Sequence, residues 1–358
     1  MKILFFIESL GPGGKERRLV ELIKNLSKNS KYIMEIVLTN NTLHYKEILD
    51  CNVKVHCIIR KRFKKDPRLF YKFYKIAKKF KPDVIHVWGN LVAIYAIPAK
   101  VLLNIPLINN QIANVPNHKS NSLMGPRTSF KYSDLILANS FAGMEAYGAP
   151  QEKSKVIYNG FDFNRINKLE DSLEVKKRLN ITTDKIVVMV ASYSANKDYK
   201  TYIEVAKEVL KSRNDVTFVA VGGGNNEIYK KDISGFEDRI MLLGRHANVE
   251  NIMNTADIGV LCTYTEGISN ALLEFMALGK PVVITGGGGC VELVEHGQNG
   301  YLFEASDKEN LSAAIHNLLK EPKLMMRQGE RSKQIIKEKF SIDKMMESYA
   351  DVYREFEN

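Results

Sequence analysis

The sequence predicts an α/β protein built from two Rossmann-like, doubly wound halves in series, closed by a helical tail. Three observations predict it. Apolar runs of strand length alternate with segments of helical periodicity along most of the chain. The alternation fades into a polar, weakly periodic stretch over residues 161–180 and restarts at Ile186. From Lys308 onward only helical periodicity remains. The expected division is residues 1–165 and 166–341, with a closing helix over 342–358 that packs back on the first half.

In the first half, Lys2 to Ile7 reads as a strand, Leu10-Gly11-Pro12-Gly13-Gly14 as a tight turn, and Lys15 to Ser27 as a helix. Leu19, Leu22, Ile23 and Leu26 supply its apolar face. Glu35–Thr39 and Val53–Ile59 read as strands. Pro67 to Phe80 reads as an amphipathic helix with the stripe Leu69, Phe70, Phe73, Ala77 and Phe80. Pro82 to Val87 is a further strand, Leu91 to Leu103 a helix with an irregularity at Pro98, and Leu107–Asn109, Leu135–Ala138 and Val156–Ile157 short strands. In the second half the expected strands are Ile186–Ala191, Val216–Val221, Ile240–Leu243, Ile258–Cys262, Val282–Thr285 and Tyr301–Phe303. A helix spans Lys200–Lys211, and the tail helices are Lys308–Leu319, Lys323–Lys339 and Ile342–Glu355. Ligands of such sheets bind beyond the carboxyl ends of the strands, so a cleft between the halves is the expected site.

Composition narrows the class. An apolar fraction of 45% with 26% charged residues over 358 residues describes an ordinary globular chain. No window approaches the ~18 uninterrupted apolar residues of a membrane span. The first apolar run ends at Glu8 without a small-residue cleavage site, so it reads as a strand rather than a signal peptide. Cys51, Cys57, Cys262 and Cys290 show no C-x-x-C spacing and read as reduced, mostly buried thiols of a cytoplasmic protein. The net charge of +11 leaves nucleic acid, an anionic membrane surface and anionic metabolites open as partners. Much of it lies between Arg60 and Lys81, where eleven basic residues face one acid, Asp66.

The most informative stretch is Cys262 to Glu292. The strand Ile258–Cys262 leads into a loop carrying Glu266 and Gly267. Ser269 follows at an N-cap position, then a helix carrying Glu274, stopped by Gly279 and Pro281. The unpaired amides of a first helical turn attract anions, phosphate above all. The flanking carboxylates cannot bind that phosphate and would instead hold hydroxyls on either side of it, which describes a sugar nucleotide. Glutamates near a helix start are also stabilising for dipole reasons alone, so the weight rests on the whole strand, loop, cap, helix and strand pattern.

Other motifs are weaker. The glycine turn at Gly11–Gly14 lacks the G-x-G-x-x-G spacing, since Arg17 and Arg18 follow, and the second strand ends in Thr39-Asn40 rather than an acid. It reads as a tight strand-to-helix turn or as a loop that approaches a phosphate. His86 lies near the end of a strand expected to face the cleft, and a lone histidine is as readily a structural residue. The remaining histidines show no metal-ligand spacing, and no D-x-D pattern is present to hold Mg²⁺ or Mn²⁺ on a diphosphate. Protein cations would then neutralise a leaving diphosphate, with Lys197 the leading candidate against an ordinary surface lysine.

Taken together these residues resemble glycosyltransferase family 4. The matching residues are Glu266 and Glu274 with seven residues between them, Met276 to Val283, Gly288 to Glu292, Asn299 to Phe303, Gly13 to Arg17, Pro82 to His86, Asn139-Ser140, Asn159 to Asp162, Lys197-Asp198, and Gly244-Arg245 through Ala256-Asp257. The resemblance implies the GT-B fold and a retaining transfer from a nucleoside-diphosphate sugar, a UDP-sugar by expectation. It implies no metal and no cofactor beyond that donor. Carried over, Glu274 holds the donor ribose, Glu266 the transferred sugar, and the amides of Gly267, Ile268, Ser269, Asn270 and Ala271 the diphosphate. Lys197 stabilises the leaving group, and His86 lies near the reacting sugar on the acceptor side. The Gly13-Gly14 loop closes over the phosphates, and Gly244 to Asn248, with Arg245, meets the nucleobase. Two departures stand out. Ser192 occupies the position where many members carry an arginine, and Gly286 to Gly289 run together where Asp and Val commonly precede paired glycines. Arg17, Lys200 or Arg245 are the available substitutes for the missing cation.

The resemblance also implies an acceptor that is a saccharide or a lipid-linked saccharide, in the assembly of a surface polysaccharide. The Arg60–Lys81 segment then reads either as a face for the anionic inner leaflet, with the protein peripheral on the membrane, or as a solvated basic face. The rivals are an epimerase or phosphorylase on the same architecture and, from another class, a basic nucleic-acid-binding protein. The last is disfavoured because the aromatics lie on a helical core stripe, and nucleic acid is not expected as a partner.

Overall fold

The computed structural model describes residues 1–60, 65–112, 115 and 124–357. Lys61, Arg62, Phe63 and Lys64 of the basic segment, His118 and the terminal Asn358 lie outside the described residues. The chain divides into two compact units, Met1–Gly160 with Met345–Asn358, and Phe161–Lys344.

The first unit contains β1 (Lys2–Ile7), α1 (Gly14–Leu26), β2 (Ile33–Leu38), β3 (Val53–Cys57), α2 (Arg68–Phe80), β4 (Val84–Trp88), α3 (Asn90–Leu103), β5 (Leu107–Ile112), α4 (Met124–Tyr132), β6 (Leu135–Ala138), α5 (Phe141–Ala146) and β7 (Ser154–Val156). Its sheet order is β3-β2-β1-β4-β5-β6-β7, parallel throughout. The inner strands β1, β4 and β6 are buried on both faces, which explains their continuous apolar runs. On α2, Leu69, Phe73 and Ala77 are buried, with Phe70 and Phe80 partly so, and the helix packs with α3 against β1 and β4. α3 runs through Pro98 without ending.

The second unit contains α6 (Ser172–Arg178), β8 (Lys185–Val190), α7 (Tyr199–Leu210), β9 (Val216–Val221), β10 (Ile240–Leu243), α8 (Val249–Thr255), β11 (Ile258–Cys262), α9 (Asn270–Ala277), β12 (Val282–Thr285), β13 (Gly300–Phe303), α10 (Lys308–Lys320) and α11 (Pro322–Lys339). Its order, β10-β9-β8-β11-β12-β13, is again parallel and reverses direction between β8 and β11. That reversal is the switch point at which ligands of open α/β sheets bind. The final helix, α12 (Ile342–Arg354), begins in this unit, and its residues from Met345 onward group with the first.

Two glycines place the elements around the switch point. A Cβ on Gly259 in β11 would sit 2.5 Å from the ring of Phe275, so only glycine lets α9 lie this close to its strand. Gly286, at φ +124°, passes within 2.0 Å of the Thr263 carbonyl measured from an added Cβ, which brings the loop after β12 against the loop after β11.

Candidate active site

The loops after β8, β11 and β12 are tied to one another by backbone. Asp198 N–H donates to the Cys262 carbonyl (3.0 Å), Tyr264 N–H to Asn196 (3.0 Å), and the Thr263 hydroxyl to the same Asn196 carbonyl (2.9 Å). Asp198 caps α7 by accepting from Thr201 N–H (3.1 Å) and also accepts from the Ser306 hydroxyl (2.7 Å). Gly289 N–H donates to the Glu266 carbonyl (2.8 Å). Lys197 and Glu266 are therefore delivered from the ends of the two strands that flank the switch point.

Their side chains form an ion pair, the Lys197 ammonium against Glu266 Oε2. Burial pushes the Lys197 ammonium down to about 8. Cys290 is the other close neighbour. Its thiol is fully buried and pushed up to about 12, so it stays neutral and contributes no charge at neutral pH.

α9 begins where the sequence places it. Ser269 occupies the N-cap with an extended backbone, but its hydroxyl does not cap the helix. The first helical hydrogen bond runs from Leu273 N–H to Ser269 (3.1 Å), so the amides from Gly267 to Ala271 precede the ladder. Gly267, Ile268 and Ser269 are buried, and Asn270 and Ala271 half-buried. Glu274, one turn further on, is 4% exposed and accepts from Arg165 Nη2 at 2.6 Å. The same guanidinium pairs with Glu250 of α8. Arg245 is exposed, its guanidinium resting on Gly223 within 2.8 Å of where a Cβ would stand. Ser192 is exposed and exchanges a hydrogen bond with Ser194 (3.1 Å), leaving a hydroxyl where the family pattern offers a cation.

Gly13, Gly14 and His86 belong to the other unit. Gly13 is the extended N-cap of α1, its carbonyl accepting from the Tyr45 hydroxyl (3.2 Å), and Gly14 opens the helix. His86 departs from the expectation that it lies near the end of a strand facing the cleft. It sits mid-strand in β4, between Phe5 of β1 and Ile108 of β5 in register, and is fully buried. Its Nδ1 is 2.8 Å from the Tyr353 hydroxyl of α12, and the rings of Trp88 and Tyr349 close over it. Burial, reinforced by Arg18, holds its pKa well below the ordinary histidine value, so the ring is neutral. Arg18 itself is a buried cation between the Trp88 and Tyr349 rings, donating to the Ile157 carbonyl (2.7 Å).

Arg165 and Glu250 carry no signal of their pairing in the sequence. Arg165 lies three positions past Asp162, but its partners are 85 and 109 residues away, a pairing that no local pattern reveals. Among the described residues, no group of three or more His, Cys, Asp or Glu side chains could hold a metal ion.

Two parallel-sheet α/β units with loops converging on a switch point define the GT-B class of fold. The Anabaena protein Alr3699/HepE, solved in complex with UDP-glucose, superposes with a TM-score of 0.86 at 23% identity, over 99% of this chain and 100% of that one. The profile of the glycosyl transferases group 1 matches residues 171–335, and that of Glycosyltransferase Family 4 residues 12–165. The chain belongs to this family of glycosyltransferases. Among its relatives, the N-acetyl-alpha-D-glucosaminyl L-malate synthase of Bacillus anthracis is 25% identical over 80% of this chain and 78% of its own length. The N-acetylgalactosamine-N,N'-diacetylbacillosaminyl-diphospho-undecaprenol 4-alpha-N-acetylgalactosaminyltransferase of Campylobacter jejuni is 26% identical over 90% and 91%.

Proposed function

We propose that this glycosyltransferase moves a sugar from a UDP-sugar to a saccharide carried on a lipid diphosphate, with retention at the anomeric carbon and without a metal. The observation that carries the reading is the Lys197–Glu266 pair at the ends of β8 and β11. A largely buried ammonium held by a carboxylate is poised to exchange that partner for a leaving diphosphate, whose charge grows as the glycosidic bond breaks. Glu266 is then released to the hydroxyls of the transferred sugar. The amides from Gly267 to Ala271 meet the diphosphate, Glu274 the ribose, and Arg245, in place of the cation missing at Ser192, the phosphate or base edge. The UDP-bound Anabaena neighbour supports uracil as the base, and the undecaprenol-linked substrate in the name of the Campylobacter relative supports the acceptor class. His86, buried and neutral, is assigned to the packing of the acceptor unit rather than to the reacting atoms.

Such an acceptor would be met at a membrane. Among the described residues no helix is long and apolar enough to cross one. The outer face of α2 instead presents Arg68, Lys72, Lys75, Lys78 and Lys79 around an exposed Tyr71, while Asp66 is buried against Arg68 (2.7 Å) and adds no negative charge outside. This face suits peripheral contact with an anionic leaflet. Sedimentation with anionic vesicles, abolished by salt, is the expected result, and no binding at low salt removes the membrane contact.

A thermal-shift panel of nucleoside diphosphates and their sugars tests the donor, with UDP and one UDP-sugar expected to raise the melting temperature above the other bases. NMR of the product anomer tests retention, and turnover in EDTA tests metal independence. Conversion of donor without acceptor would favour an epimerase.

A further inference from the structure

The side chain that fixes Glu274 has no role in the reading above. Arg165 projects from the short turn Phe163–Ile166 and bridges two carboxylates, Glu274 Oε1 on α9 at 2.6 Å and Glu250 on α8. Its guanidinium lies 5.1 Å from the ring centroid of Phe161. Phe161 is itself held by backbone bonds, donating to the Phe340 carbonyl (2.8 Å) and accepting from Ile342 N–H (2.9 Å).

The Glu274 side chain is only 5% exposed. A carboxylate that buried is held in one rotamer only with a cation and hydrogen bonds to fix it. Arginine does this better than lysine, because its planar fork sets direction as well as charge. Each carboxylate oxygen carries two lone pairs, so accepting from Arg165 does not prevent Glu274 from accepting a hydroxyl.

We infer that Arg165, steadied by Glu250, is the positioning residue that aims Glu274 at the donor ribose, and that this bracket sets the preference for ribonucleotide over deoxyribonucleotide. The inference rests on the proposal that Glu274 holds the ribose. It is tested by calorimetric titration of the full chain with UDP and with 2′-deoxy-UDP. Hydrogen bonds to a charged group predict roughly a tenfold or greater preference for UDP in the unmodified protein. Glu274→Ala should bring the ratio close to one. Arg165→Gln should bring it within about threefold, with Arg165→Lys intermediate. A residue that only stabilises the fold would lower the melting temperature and leave the ratio unchanged. If Glu274→Ala erases the preference and Arg165→Gln keeps it, the role of Arg165 is overturned while the ribose assignment stands. If Glu274→Ala keeps it, the ribose assignment fails and takes the inference with it. Should Arg165→Gln not fold, Glu250→Gln removes only the outer partner. A ratio reduced by about twofold or more supports the bracket, and an unchanged ratio overturns it.

Discussion

The corner between β11 and α9 and the middle of β4 carry comparable chemistry in opposite settings. Lys197 and Glu266 stand at strand ends, partly exposed, with loops tied backbone to backbone beneath them. His86 stands inside a central strand, fully buried under aromatic rings, with its Nδ1 spent on Tyr353. Both were candidates by residue type. Position separates them, because helices cover both faces of a parallel sheet and bury the middle of its inner strands, while the loops beyond the carboxyl ends stay accessible.

The comparison breaks most visibly at Lys197. Lys197→Ala should lower turnover by about 100-fold or more while changing donor affinity only a few-fold, since the ammonium acts on charge that develops in the transition state. Steady-state and single-turnover rates beside calorimetry check it, and wild-type turnover sinks the assignment. Gly286→Ala should follow, costing about 2–4 kcal/mol from the strained φ and the collision with the Thr263 carbonyl. Chemical denaturation reads that loss.

The next effect is on pH. In the proposed role Lys197 acts as the ammonium, and burial brings it down to about 8. In free enzyme kcat/KM should therefore decline as pH rises through about 8, and the decline should vanish in whatever activity Lys197→Ala retains. For stability the sign is opposite. The unfolded chain holds the proton to higher pH than the folded one, so this group's penalty is present below about 8 and is relieved as pH rises towards the usual lysine value.

The smallest effect belongs to the buried half. Tyr353→Phe removes the partner of His86 Nδ1 and should cost about 1–3 kcal/mol with donor turnover unchanged. His86 adds an acid limb to stability. Its folded pKa is depressed, so its contribution is present above the unfolded value of about 6.5 and lost as pH falls below it. Melting curves from pH 7 to 5 should show a shallower decline in His86→Gln.

Both sheets and the β11–α9 corner are legible in the sequence because each leaves a local trace: buried parallel strands are apolar runs, and the strand, loop, cap and helix of Ile258–Ala277 are contiguous. Less was legible where the trace is short or distant. α5, α6 and α8 span six or seven residues, too few for helical periodicity to emerge, and α6 sits inside the polar stretch that reads as a boundary. The burial of His86 depends on α12, 267 residues away, and the Arg165 bracket on two separate helices.

The contrast between the two regions reduces to one measurement: the rise in melting temperature produced by UDP in Glu274→Ala and in Tyr353→Phe. The donor corner predicts that Tyr353→Phe, though less stable, keeps the full UDP-induced shift, while Glu274→Ala loses most of it. A full shift in Glu274→Ala together with its loss in Tyr353→Phe would contradict the placement of the nucleotide in the β11–α9 corner.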